Sequence, residues 1–92
     1  MHKFLIHHKE DHVGVATSDI AAGETVIGVF MEDDSTIEVK ANADIPLGHK
    51  IAIRDAAPKE KVLKYGLPIG HAPEGFRKGD YVHTHNLKTL RW

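Results

Sequence analysis

Ninety-two residues, 41% of them apolar and 27% charged, suffice for one globular domain and no more. Such a chain buries roughly 60–65% of its unfolded surface, enough for a modest core but not for a deep enclosed cavity. Twelve Lys and Arg against 13 Asp and Glu leave a formal charge of −1, so no basic field drives nucleic-acid binding, and the lack of Cys excludes disulfide scaffolds and thiolate metal sites.

Phe4-Leu5-Ile6-His7 predicts a first strand, Lys9-Glu10-Asp11 a polar turn, and Val13-Gly14-Val15-Ala16 the returning strand. The apolar run before His7 and His8 is too short for a secretory signal, and no window approaches the roughly 18 apolar residues of a membrane span. A cytoplasmic protein without membrane contact is expected. His7 and His8, being adjacent, face opposite sides of a strand, while His12 lies across the turn from His7 and either pairs with it or caps a hairpin end.

Thr25-Val26-Ile27-Gly28-Val29-Phe30 predicts a third strand, Glu32-Asp33-Asp34-Ser35 a turn, and Thr36-Ile37-Glu38-Val39-Lys40 a half-buried alternating strand. Ile51-Ala52-Ile53, Val62-Leu63-Lys64-Tyr65, Pro68-Ile69-Gly70 and Asp80-Tyr81-Val82-His83 complete the set. No window of a dozen residues carries a helical apolar period free of Gly or Pro, so the fold class is all-β.

A weak repeat punctuates these strands. Asp19-Ile20-Ala21-Ala22-Gly23-Glu24-Thr25-Val26 is echoed by Asp44-Ile45-Pro46-Leu47-Gly48-His49-Lys50-Ile51. Asp55-Ala56-Ala57-Pro58-Lys59-Glu60-Lys61-Val62 follows with Lys59 in the Gly place, and Phe76-Arg77-Lys78-Gly79-Asp80-Tyr81-Val82 repeats the second half. The physical content is a capped single helical turn: Asp accepts backbone N–H bonds, an apolar residue plugs the core, and Gly takes positive φ into the next strand. The intervals are uneven, so this is no solenoid.

Eight His stand among the 92 residues, and without Cys any metal site must draw on them, on carboxylates or on backbone oxygen. Tyr81-Val82-His83-Thr84-His85-Asn86 is the sharpest feature. On a strand His83 and His85 share a face with Cβ atoms about 7 Å apart, which suits two metal ligands, a ligand beside a general base, or two surface imidazoles. Two ligands do not close a site, so a third must come from another loop or another chain. In Gly48-His49-Lys50, glycine permits close backbone approach beside two cationic or proton-transferring groups, fit for a carboxylate or sulfonate and equally for a solvated turn. Phosphate-binding, nucleophile-elbow and dinucleotide fingerprints are absent. Lys88, Arg91 and Trp92 form a basic and aromatic tail, with Leu87, Leu90 and Trp92 offering apolar anchors for an interface.

The segments 19–26, 45–53, 64–70 and 82–87 together resemble the SAF-like domain of the altronate/galactarate dehydratase family. Pro-Leu-Gly-His-Lys and His-Thr-His-Asn are the specific parts of that resemblance, and it spans nearly the whole chain. It implies a β-clip fold of short strands with single-turn helical connections, forming one SAF-like domain over residues 1–92. It implies metal dependence, with Fe2+ the usual ion, and a larger partner chain bearing most of the active site in a hetero-oligomer. The family includes lyases that release sulfite from (2R)-3-sulfolactate through a separate small subunit, and the closing segment 86–92 looks most like that subunit. Sugar-acid dehydration of altronate or galactarate, and a non-catalytic SAF-type binding module, are the competing expectations.

On this resemblance His83, His85 and Lys50 are the expected catalytic residues, with His83 and His85 as metal ligands. Gly48, His49, Asn86, Lys88 and Arg91 are expected to bind a small anionic hydroxy acid. Here the chain stops six residues after Asn86 with no Pro/Gly/Ser-rich spacer, so an interface is expected to replace the covalent tether of single-chain relatives.

Overall fold

The computed structural model describes residues 2–64, 66–83 and 85–89. Its strands are β1 (Phe4–Ile6), β2 (Val13–Ala16), β3 (Thr25–Phe30), β4 (Thr36–Lys40), β5 (Lys50–Ala52), β6 (Lys61–Lys64), β7 (Leu67–His71), β8 (Tyr81–Val82) and β9 (Lys88–Thr89). The first eight fall where apolar alternation and turn residues put them. The two-residue β9 carries no such pattern and exists through its pairing with β7. No helix occurs among the described residues, so the chain is all-β as expected.

Six strands form one sheet in the order β4-β3-β1-β2-β5-β8, and three form a second in the order β6-β7-β9. Every pairing is antiparallel except β1 with β3, which run parallel. The main core gathers Phe4, Ile6, Ile20, Val26, Val39, Ile45 and Ile51, while Val13, Val62, Phe76, Val82 and Leu87 anchor a second cluster. Phe4 explains a glycine within a strand: a Cβ on its register partner Gly28 would lie 2.1 Å from the Phe4 ring.

The four repeats are β-turns, correcting the expectation of single helical turns. In each, the N–H of residue 24, 49, 60 or 80 donates to the carbonyl three residues earlier. The residue before that donor has positive φ, at Gly23 (85°), Gly48 (85°), Lys59 (69°) and Gly79 (96°), which ends any helical continuation. Each turn is buttoned to a buried alanine (Ala41, Ala16, Ala72 and Ala52 respectively) that both donates to and accepts from its backbone.

The turns pair in twos. Ile20 and Ile45 exchange both backbone hydrogen bonds, and so do Ala56 and Phe76. The repeat aspartates cap the partner turn rather than their own: Asp19 Oδ1 accepts from Leu47 N–H at 2.9 Å, and Asp44 Oδ1 from Ala22 N–H at 2.8 Å. In the other pair Asp55 Oδ1 accepts from Lys78 N–H at 2.8 Å, while the reciprocal position sets Gly75 against Pro58. There a missing acceptor faces a missing donor, and the Cβ of any side chain at 75 would come 2.5 Å from the Ala56 carbonyl oxygen.

Candidate active site

Within its own turn each repeat is capped by a carboxylate five residues after the Asp position. Glu24 accepts from Ala21 N–H, Glu60 from Ala57 N–H and Asp80 from Arg77 N–H, at 2.8–3.0 Å. The second turn departs from this rule twice. Pro46 has no N–H to cap, and the capping position is His49. The imidazole is thereby released from turn chemistry, and its Nδ1 lies 2.6 Å from the Tyr81 hydroxyl.

Tyr81 sits on β8 opposite Ile51, its ring packed against the main core. His83 stacks on that ring at 5.5 Å between centroids and 8° between planes. His49 meets Tyr81 edge-on at 5.5 Å and lies 5.4 Å from His83, and His85 lies 5.9 Å from Tyr81. Three imidazoles separated by up to 36 residues thus converge on one phenol. Among the described residues no carboxylate pairs with any of the three.

His83 and His85 do not sit on a strand, correcting the geometry inferred from their spacing. β8 ends at Val82 because Asn86 folds the chain back: its Oδ1 accepts from His83 N–H at 2.8 Å, its Nδ2 donates to the Tyr81 carbonyl at 2.8 Å, and its own N–H donates to the His83 carbonyl. The turn keeps both imidazoles exposed and beside Tyr81. Asn86 therefore acts on the backbone around the site with both ends of its amide.

The remaining expected site residues are dispersed. Gly48 supplies the positive φ of the second turn, with open space where a Cβ would stand. Lys50 follows His49 into β5, where its register partners are Val15 and Val82. Strand alternation puts it on the face opposite to that of Ile51 and Tyr81. Burial, and then the charge of Lys64, hold its amine below the ordinary lysine value. Lys88 is exposed on β9 opposite His71, in the three-stranded sheet. Arg91 lies outside the described residues, as do the expected anchors Leu90 and Trp92. Leu87, expected as a third anchor, is instead buried in the second core cluster, because β9 draws the chain back over β7.

His12 is not paired with His7. It is buried, its Nδ1 accepts from Leu63 N–H at 3.0 Å, and its Nε2 donates to Glu60 at 2.6 Å, which makes it a clasp between β2 and β6. Tyr81 is the site residue that sequence reasoning passed over. The signal that could have found it is its place at the head of Tyr81-Val82-His83-Thr84-His85-Asn86, an aromatic ring on the strand that leads into the imidazoles.

Among the described residues no three His, Asp or Glu side chains approach closely enough to hold a metal. Three surface grooves lie elsewhere, around Lys3, Glu24 and Asp44, around Asp55, Glu74 and Arg77, and around Lys59, Lys61 and His71. What the cluster offers chemically is a set of hydrogen-bond donors and proton carriers that are half-buried or exposed, suited to an anion and to proton transfer.

Residues 2–90 match the family described as the altronate/galactarate dehydratase SAF domain. The chain is 42% identical to the (2R)-sulfolactate sulfo-lyase subunit alpha of Chromohalobacter salexigens, over 97% of this chain and 96% of that one. It is 42% identical to the protein of the same name from Paracoccus pantotrophus, over 70% of this chain and 96% of the relative. It is also 40% identical to the altronate dehydratase of Bacillus subtilis, over 97% of this chain but 17% of that much longer protein.

Proposed function

Since the chain belongs to the altronate/galactarate dehydratase SAF-domain family, we propose that it is the small subunit of a carbon–sulfur lyase that cleaves (2R)-3-sulfolactate to pyruvate and sulfite together with a larger subunit. The observation that carries this reading is the identity of 42% running through 97% of this chain and 96% of a sulfo-lyase alpha subunit. The imidazole cluster is its chemical support.

The reaction removes the proton on C2 of the substrate while the C3–S bond breaks, and its electron pair leaves with sulfite. The enol that remains takes a proton at C3, gives up its hydroxyl proton and becomes pyruvate. Two tasks follow for this chain. The carboxylate must be gripped as negative charge builds in the enediolate-like transition state, which calls for fixed N–H donors. A proton must also be taken up and returned, which calls for an imidazole free to exchange it. In our reading His49 serves the first task and the exposed His83 and His85 serve the second. Lys50, on the other face of its sheet, and Lys88, in the second sheet, stand outside the cluster and contribute only longer-range positive charge toward a doubly anionic substrate.

A divalent metal, Fe2+ in the expectation above, would take most of its ligands from the larger subunit, because the described donors of this chain do not assemble a set. The decisive experiment is to purify the chain with that subunit and follow both products. Sulfite and pyruvate released from (2R)-3-sulfolactate support the reading. Loss of water from altronate or galactarate, with no sulfite from sulfolactate, would replace it with the second reading that the altronate dehydratase likeness favours.

A further inference from the structure

Tyr81 has no part in the roles given above, yet among the described residues it is the ring that touches all three imidazoles. We propose that Tyr81 is the positioning residue of this site: its hydroxyl decides which nitrogen of His49 carries the hydrogen, and its ring holds His83. The role in turnover rests on the functional reading just given; the tautomer does not.

The short distance from the Tyr81 hydroxyl to His49 Nδ1 makes this a hydrogen bond, and the donor and acceptor strengths of its two partners set its direction. A phenol O–H is a stronger donor than a neutral imidazole N–H, and an imidazole nitrogen is a better acceptor than a phenol oxygen. Across 2.6 Å the hydroxyl therefore donates to Nδ1 of His49. The ring hydrogen is then on Nε2, because the partner of one ring nitrogen sets the state of the other. His49 becomes a donor, fit to hold a carboxylate or sulfonate oxygen and unfit to act as the base. Proton exchange falls to His83 and His85, so the two tasks of the elimination are assigned to different imidazoles by one hydroxyl.

The phenol is itself fixed. Its ring packs against the main core, its residue is in register with Ile51, and its carbonyl accepts from Asn86 Nδ2. The face that remains carries His83, at an interplanar angle of 8°. Stacking on a core-anchored ring restrains an otherwise exposed imidazole without using either of its nitrogens.

The test begins with nitrogen-15 NMR of the imidazoles in the full chain at about pH 8.5, where an ordinary imidazole is neutral. The Nε2–H tautomer at His49 is expected, and the Nδ1–H tautomer would overturn the proposal whatever any variant does. Tyr81→Phe keeps the ring and removes the hydroxyl. In that variant His49 should lose its tautomer preference while the ring-current shift of the His83 carbon-bound protons persists. An unchanged His49 tautomer overturns the proposal. In the complex with the larger subunit, Tyr81→Phe should lower kcat about tenfold with KM for sulfolactate little changed, and an undiminished kcat overturns the positioning role. The spectra need no substrate. If they come out as expected while the wild-type complex releases no sulfite from sulfolactate, the tautomer assignment stands and the substrate is overturned.

Discussion

Asn86 holds the site's backbone by two side-chain hydrogen bonds, one to each side of Val82. Asn86→Ala removes both, and at about 0.5–1.5 kcal/mol per bond should cost about 1–3 kcal/mol, read from urea denaturation midpoints. Asn86→Asp keeps the acceptor toward His83 and should cost less. Carboxylates at the surface set the acid limit of stability. Asp33 is held down to about 2 by Lys9 and Ser35, Glu24 is lowered by Lys3, and Glu60 by the Ala57 N–H and His12. Values below those of the unfolded chain mean a contribution present above about pH 4.5 and lost as pH falls through the folded values, which for Asp33 is about 2. The midpoint should therefore drop between about pH 4.5 and 2, and added salt should shrink the drop, since these groups are exposed.

The four turns share one backbone design, and their differences are informative. Lys59 occupies a positive-φ position that the other three fill with Gly. Lys59→Gly should raise stability by about 1 kcal/mol, the scale of left-handed strain in an L-residue. A decrease in the thermal midpoint would show that the lysine side chain offsets its strain. The second turn has exchanged a cap for an imidazole. Pro46→Ala with His49→Glu would restore the N–H and the carboxylate that cap the other three turns. This double variant should be at least as stable as the parent, because a side-chain cap contributes about 1 kcal/mol. Measured in the assembled enzyme, it should have lost activity. Activity retained would remove His49 from the site.

At the scale of the molecule, two sheets and paired turns bury a modest core and leave His83 and His85 exposed beside a half-buried His49. A surface cluster leaves the substrate in water, where charge-stabilising donors are weakest. The purified chain should therefore fold, with the cooperative denaturation of a small domain, yet show no turnover of sulfolactate until the larger subunit is added. Sulfite release by the chain alone at a rate rivalling the complex would show that no covering surface is needed.

The strands and the positive-φ turns were legible in the sequence, because apolar alternation and glycine act locally, through backbone sterics and the face each residue presents. Thus β3 and β4 could be read from Thr25-Val26-Ile27-Gly28-Val29-Phe30 and Thr36-Ile37-Glu38-Val39-Lys40 without knowing their neighbours. His49, His83 and His85 stood out in the sequence as residue types with chemistry to offer in a chain without Cys, and the structure sets them beside one another. Only the tertiary structure decided which turn caps which, that β1 runs parallel to β3, and that Asn86 ends β8 before the imidazoles. It alone brought His49 to Tyr81 across 32 positions of sequence. Such contacts are chosen by how the whole core packs, and a hydrogen bond between distant residues leaves no period or spacing in the chain that makes it.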